Sequence, residues 1–225
     1  MSDELAFPPA VVIGLWLNAA VNASVSATDA ANALGTITNQ TSISGDSTWL
    51  DLVRQVVASK TPVAVGLPID GDPAGVPGSV LQIIDRDSGV VAISKNLLVV
   101  RGLDSVWKLE NSANTVLHYD LNQSRRILTE QILISTNQLA ASDLVGDDSE
   151  ITKLLDEFRS LHLPPHLSKR SADSLESAAK ILIVARGALT HSAALHSPST
   201  DKIRMKILED LITKCRAVLQ SVVIA

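Results

Sequence analysis

Two aspartates, Asp70 and Asp72, flank Gly71 in a segment rich in glycine and proline. Two carboxylates two residues apart in a loop can converge on a hard cation, which prefers oxygen ligands. The calcium-loop pattern is incomplete, because Ala74 stands at its fifth position and Leu81 at its twelfth. Aspartate beside glycine and proline is also typical of tight turns. The pattern therefore favours turn chemistry, and it leaves a metal ion or a small ligand bound by loop amides as alternatives.

The glycines of the same loop, residues 66–79, could direct backbone N–H groups at an anion, because glycine adopts conformations that other residues rarely reach. Their spacing fits neither phosphate-loop fingerprint, and Pro73 and Pro77 each lack an amide donor. A long ordered loop after a strand is nevertheless a common place for a binding site. The predicted ligand-binding residues are Asp70, Gly71, Asp72, Gly75, Gly78 and Ser79, with no metal and no cofactor.

Histidine supplies two further candidates. The segment 118–120, His-Tyr-Asp, could hold an acid–base group where the predicted sheet meets the helical segment, but no nucleophile motif accompanies it. His162 and His166 have the spacing of a zinc pair on a helix. Pro164 and Pro165 lie between them and forbid that helix, so we interpret this stretch as a surface linker.

The last predicted helix carries the only cysteine, Cys215, on its apolar stripe, which predicts a buried thiol with the packing role of a small hydrophobic residue. A lone cysteine forms no intramolecular disulfide and fits a reducing compartment. Basic residues on this helix, together with two basic pairs elsewhere, are interpreted as solvated surface, or alternatively as a contact for an acidic partner. They are Lys202, Arg204, Lys206, Lys214 and Arg216, with Arg125, Arg126, Lys169 and Arg170.

Asn18 and Asn22 lie one turn apart in an otherwise apolar helix. A buried amide must be hydrogen-bonded, because losing its bound water without compensation is costly. The two side chains therefore either bond to neighbouring backbone, which we favour, or face a cleft.

Helices and short strands alternate in the first segment. Helices are predicted over residues 10–23, from Ser26 or Thr28 to Gly35, and from Thr48 to about Lys60. The capping box Thr48-Trp49-Leu50-Asp51 marks the third start. A polar loop is predicted over 36–46, and strands over 62–67, 90–94, 97–101, 105–109 and 115–118, while 80–84 fits a short helix or a strand.

From Leu121 the apolar period becomes helical and remains so over four stripes. Four helices that each need an apolar partner predict a bundle or a helical layer packed on the sheet. The fold class is therefore α+β: a mixed, largely antiparallel sheet with covering helices, then a helical segment. The predicted domains are 1–119, α/β, and 120–225, all-helical.

The net charge of −5 argues against binding of phosphate backbones, which depends on a surplus of lysine and arginine. We therefore expect no nucleic-acid partner. The apolar run 10–17 resembles a signal-peptide core, but Asp3 and Glu4 replace the positive region that precedes such a core. No run approaches the ~20 apolar residues of a membrane span, so the sequence predicts a cytoplasmic protein without a membrane partner.

Three motifs in this order resemble an uncharacterised family of actinobacterial proteins. They are Gly14-Leu15-Trp16-Leu17, the loop of the form Leu-Pro-x-x-Gly-Asp-x-x-Gly-x-Pro-Gly that begins at Leu67, and Leu163-Pro164-Pro165 before a helix. The family's own loop is of the type Leu-Pro-x-x-Gly-Asp-x-x-Gly-Leu-Pro-Gly, from which Asp70 and Val76 depart slightly. The resemblance implies a cytoplasmic actinobacterial protein and carries no activity with it.

Every catalytic pattern above lacks a required residue, so the sequence favours a non-catalytic binding or regulatory protein that uses the Gly/Pro-rich loop. The expected partner is a protein or a small ligand. The alternative is a small-molecule hydrolase or transferase centred on Asp70 and Asp72, with His118 as an acid–base group. Self-association through exposed helix faces is compatible with both.

Overall fold

The computed structural model of the chain describes residues 7–44, 47–116, 118–139, 148–165, 167–190 and 198–225. Three helices lead the first segment: α1 (Pro9–Val21), α2 (Ala27–Thr38) and α3 (Trp49–Ser59). Proline is well suited to the first turn of α1, because that position has no helical acceptor for an N–H. Helix α1 is apolar on nearly every side and is buried along most of its length, as expected of a helix inside the core.

Helix α3 begins as predicted. The hydroxyl of Thr48 accepts the N–H of Asp51 at 3.2 Å, and the Asp51 carboxylate accepts the N–H of Thr48 at 3.0 Å. The Thr48 hydroxyl also donates to that carboxylate, and these bonds lower the pKa of Asp51. The capping box is confirmed.

Helix α2 begins at the predicted cap, Ser26, whose hydroxyl accepts the N–H of Asp29. Its predicted end at Gly35 is wrong, because the helix continues to Thr38 and stops where Asn39 adopts a left-handed conformation. A glycine weakens a helix by only about 1 kcal/mol, which does not force an end. The predicted polar loop 36–46 also contains a short strand, β1 (Ser42–Ser44), which pairs with β2 (Ser47–Thr48).

Four strands form the main sheet in chain order: β3 (Ala64–Gly66), β4 (Val90–Ser94), β5 (Leu97–Arg101) and β6 (Trp107–Asn111). All three pairings are antiparallel, with Val65 opposite Val91 and Val91 opposite Val99. The antiparallel sheet is confirmed, and β6 lies two residues later than predicted. Between β3 and β4, the short helix α4 (Gly78–Leu81) and a 3₁₀ turn (Arg86–Ser88) resolve the ambiguity at 80–84 in favour of a helix.

The strand predicted over 115–118 is wrong for its described residues, 115, 116 and 118. The N–H of Thr115 donates to the carbonyl of Gly75 at 2.9 Å, so this stretch contacts the Gly/Pro-rich loop instead of the sheet. Gly75 has a φ of +77°, and a Cβ there would lie 2.3 Å from the Thr115 carbonyl oxygen. Only glycine fits this contact without a shift of backbone.

The two faces of the sheet pack against different elements. Side chains such as Val65, Val91 and Val99 belong to the main core with α1 and α8. The opposite face forms a second, smaller core under the Gly/Pro-rich loop, which covers it with Val76 and Val80. The loop therefore completes the burial of the sheet.

The four predicted helices are confirmed as α5 (Leu121–Leu139), α6 (Asp148–Arg159), α7 (Lys169–Thr190) and α8 (Pro198–Ile224). Helix α8 contacts α5 and α7, and also α1 and β3. Trp16 of α1 donates to the carbonyl of His162 at 2.9 Å and stacks on its ring. One hydrophobic core thus spans both segments, and the division into domains 1–119 and 120–225 stays a prediction.

Asn18 joins three elements. Its side-chain amide donates to the carbonyls of Val63, at 3.0 Å, and Val223, at 2.6 Å, while its oxygen accepts the N–H of Val63 at 2.8 Å. Gly14, one turn earlier, allows the close approach, since a Cβ there would lie within 3 Å of side-chain atoms of Val65 and Val223. The partners of Asn18 are backbone groups, as favoured, but they are distant in the chain. Asn22 is exposed.

Replacing Asn18 with leucine should lower the free energy of unfolding by about 2–4 kcal/mol, because the buried N–H and C=O groups lose their partners. Urea unfolding measures the change. Asn22→Leu, at the exposed end of the same helix, is the control and should change stability by about 0.5 kcal/mol or less. Equal effects of the two substitutions would contradict the role of Asn18.

Gly75→Ala should destabilise the protein more than Gly71→Ala. Both glycines have positive φ, at +77° and +84°, so both variants carry conformational strain of about 1 kcal/mol. Only at Gly75 would the new methyl group meet backbone, since nothing lies within 4 Å of a Cβ at Gly71. Thermal unfolding of the two variants compares them, and indistinguishable melting temperatures would show that the contact with Thr115 is absent.

Candidate functional site

A pocket of about 340 Å³ lies where the Gly/Pro-rich loop, the start of α5 and the C-terminal half of α8 meet. The loop contributes Leu67, Ile69 and Asp72 to its wall. The wall also includes Tyr119 and Asp120, which precede α5. The pocket therefore lies on the seam between the two segments of the chain.

On α8, buried polar side chains bind the free edge of β3. Strand β3 is an edge strand, so alternate carbonyls on its outer side have no neighbouring strand. Gln220 donates to the carbonyl of Val65 at 2.9 Å, and Arg216 donates to that of Leu67 at 3.3 Å. Arg216 and Gln220 are four residues apart on the helix, which is a rise of about 6 Å. Their acceptors are two residues apart on the extended chain, which is about 6.7 Å, so the two spacings match.

The Arg216 guanidinium is held on several sides. It also donates to the carbonyl of Pro68 at 2.5 Å, and it lies 3.5 Å from the carboxylate of Asp87. Burial, with a contribution from Arg186, lowers the pKa of Arg216 to about 10, while Asp87 and Asp72 oppose the shift. Arg216 is therefore still charged at neutral pH. Its Nε is buried and has no hydrogen-bond partner within the described residues.

Asp87 connects this arginine to a third element. Its carboxylate lies 2.7 Å from the guanidinium of Arg186 on α7, closer than to that of Arg216. One carboxylate thus bridges arginines from α7 and α8 at the 3₁₀ turn before β4. The shared ion pair helps to hold Arg216, which lines the pocket.

Two aspartates that line the pocket from the loop and from the start of α5 are fixed by backbone amides. Oδ1 of Asp72 accepts the N–H of Ala74 at 2.9 Å, and Oδ1 of Asp120 accepts the N–H of Gln123 at 2.8 Å. The second bond caps α5, where a negative charge also suits the helix dipole. Across the described residues, the Oδ2 atoms of both carboxylates have no hydrogen-bond partner in the structure.

Tyr119 and Lys214 line the same pocket. Burial raises the pKa of Tyr119, and the nearby Asp72 carboxylate adds to the shift, so the phenol stays protonated and can donate. Lys214 is half-buried on α8, and it forms neither a hydrogen bond nor an ion pair with any residue in the described ranges. These two groups are free to meet a ligand.

Of the six predicted site residues, the structure brings Asp72 alone to the pocket. Asp70 lies at the tip of a turn closed by two backbone bonds between Ile69 and Asp72, and its exposed carboxylate pairs with Arg86 at 2.8 Å. The other four are Gly71 in that turn, Gly75 against Thr115, and Gly78 and Ser79 at the exposed start of α4.

The remaining sequence candidates lie elsewhere. His118 is exposed and does not line the pocket. His162 packs on Trp16, while His166 lies outside the described residues. Cys215 is buried, and burial raises its pKa to about 12, which confirms the prediction of a packed thiol. No group of three histidine, cysteine or acidic residues placed to hold a metal occurs in the described part of the chain.

The sequence interpretation missed the contribution of α8. Solvated surface was expected for Arg204, and this is wrong, because the residue is 6 % exposed. The same expectation is wrong for Arg216, because its side chain is only 6 % exposed. The available signal was its position beside Cys215 on the apolar stripe, four residues before Gln220. Tyr119 was named only as the neighbour of His118.

No helix among the described residues is both long enough and apolar enough to cross a membrane.

Residues 122–220 match the family model described as Rv1486c-like protein, C-terminal domain. This range covers α5 to most of α8, including Lys214 and Arg216, and the Gly/Pro-rich loop lies outside it. No curated protein and no solved structure matches the chain. The helical segment is thus similar to that C-terminal domain, and the match supports the resemblance to an uncharacterised actinobacterial family.

Proposed function

We propose that this protein is a non-catalytic binding protein whose small ligand occupies the pocket between the Gly/Pro-rich loop and α8. The volume of about 340 Å³ is at the small end of the range for small-molecule sites, roughly 300–1,000 Å³. A mostly apolar lining with a few convergent polar groups is typical of such sites. Here Leu67, Ile69 and Ala217 supply apolar surface among the polar groups.

The observation that carries the proposal is Lys214. Lys214 is a half-buried residue of the pocket wall, and its ammonium group forms no hydrogen bond or ion pair with any described residue, so it can bind a charged ligand. The polar groups around it, Arg216 and Gln220, are bonded to the backbone of the loop and of β3. A ligand that meets Lys214 would touch the loop, the start of α5 and α8 together, which is the arrangement a regulatory ligand requires.

The enzymatic alternative receives less support. It centres on Asp70 and Asp72, but the Asp70 side chain is fully exposed at a turn and does not line the pocket. His118, its proposed acid–base group, is exposed and also lies outside the lining. Of the three residues of the enzymatic alternative, Asp72 alone lines the pocket. We therefore propose binding as the function.

A thermal-shift screen tests the proposal. The compounds are divalent cations, nucleotides, sugar phosphates, carboxylic acids, amines and amino acids, each at a concentration far above the expected Kd. Because a ligand that binds only the folded state stabilises it by ~2.7 kcal/mol at 100 times Kd, the melting temperature should rise by about 5–10 °C.

Two variants, each with an alanine replaced by phenylalanine, test whether the ligand binds in this pocket. Ala217→Phe fills the pocket from α8 and should abolish the shift. Ala58→Phe, on the exposed face of α3, adds the same side chain away from the pocket and should keep it. Circular dichroism checks that both variants fold. A screen in which no class shifts the native protein, or a shift that survives Ala217→Phe, would overturn the proposal.

A further inference from the structure

We infer that the ligand of this pocket is a small zwitterion, an α-amino acid with an apolar side chain. The inference rests on the proposed function and specifies its ligand. It follows from the number of charges that line the pocket, from their distribution between its walls, and from the atoms that remain free to bond.

The charged groups of the lining balance. They are two acids, Asp72 and Asp120, and two bases, Lys214 and Arg216. Outside the lining, the Asp87 carboxylate pairs with both Arg186 and Arg216, so these two arginines share one acid, and with Lys214, Asp72 and Asp120 the group holds three positive and three negative charges. A ligand with a net charge would leave one of these groups facing a like charge, whereas a ligand that carries one charge of each sign would not.

The two signs lie on different walls. Both bases belong to α8, while the acids belong to the Gly/Pro-rich loop and to the residue that caps α5. A ligand carboxylate would therefore face α8, and a ligand ammonium would face the opposite wall. This complementarity orients the ligand as well as attracting it.

The polar atoms of the lining that have no hydrogen-bond partner match the carboxylate and the ammonium of such a ligand. The Nζ of Lys214 has no partner among the described residues and is suited to a carboxylate. Asp72 and Asp120 each bond a backbone amide through Oδ1, which fixes the carboxylate and leaves Oδ2 as an acceptor for an ammonium. The phenol of Tyr119 adds a donor beside Asp72.

The apolar side chains that line the pocket predict an apolar part of the ligand. Ile127 of α5 is 37 % exposed and lines the pocket with Leu67, Ile69 and Ala217. Covering these side chains removes apolar surface from water, which favours binding by about 25 cal/mol for each Å². The small volume limits the ligand to a compact body such as the side chain of leucine.

Isothermal titration calorimetry with three related compounds tests this assignment on the full chain. L-Leucine carries both charges, 4-methylpentanoate lacks the ammonium, and 3-methylbutylamine lacks the carboxylate. Leucine should bind, and each of the others should bind at least about tenfold more weakly, because a hydrogen bond to a charged group contributes ~1.5–3 kcal/mol.

Two variants assign the contacts. Lys214→Met should weaken leucine binding at least about tenfold and leave 3-methylbutylamine binding unchanged. Asp72→Asn, which keeps an oxygen for the N–H of Ala74, should weaken leucine and leave 4-methylpentanoate unchanged. The controls are Lys206→Met on exposed α8 surface and Asp104→Asn, whose carboxylate likewise bonds the N–H two residues on.

The outcomes separate the two proposals. Equal binding of leucine and either one-charge analogue, or equal effects of the pocket variants and their controls, would overturn the zwitterion assignment. If leucine fails to bind while another compound class gives a shift that Ala217→Phe abolishes, the assignment falls and the binding function stands. If no class binds, both fall.

Discussion

The free edge of β3 is the constraint on which the rest of the molecule depends. Along this edge the carbonyls of residues 63, 65 and 67 have no neighbouring strand in the described part of the chain, and an unpaired buried carbonyl is costly. Side chains of two helices replace that strand: Asn18 from α1, then Gln220 and Arg216 from α8. The match between helix rise and strand rise fixes α8 along β3, and this placement brings the helical segment against the sheet.

The pocket is a consequence of the same alignment. Once Arg216 and Gln220 are directed at β3, the adjacent residues Thr213, Lys214 and Ala217 face the gap between the loop and α5. The Gly/Pro-rich loop closes the other side, held by its contact with Thr115 and by the burial of its own apolar residues against the sheet. Its glycines thus shape the wall, and side chains from several elements supply the charges.

Features set by residues close together in the chain were easier to predict than features set by distant partners. The capping box at Thr48 was predictable because both partners lie within four residues. Asn18 was identified as a polar residue in an apolar helix, but its partners lie 45 and 205 residues away. The strand at 115–118 was wrong for the same reason, since its N–H bonds to Gly75, forty residues earlier. Arg216 was misplaced because a charged residue indicates solvent unless its burial partners are known.

The separation between β3 and α8 has a consequence for biosynthesis. The partners Val65 and Gln220 are 155 residues apart, so β3 leaves the ribosome with one edge uncovered. At about 5–20 residues per second, α8 follows on the order of 10 s later. During that interval the nascent chain carries an open strand that can pair with other chains. The outer edge of the sheet is therefore covered only after α8 has been synthesised.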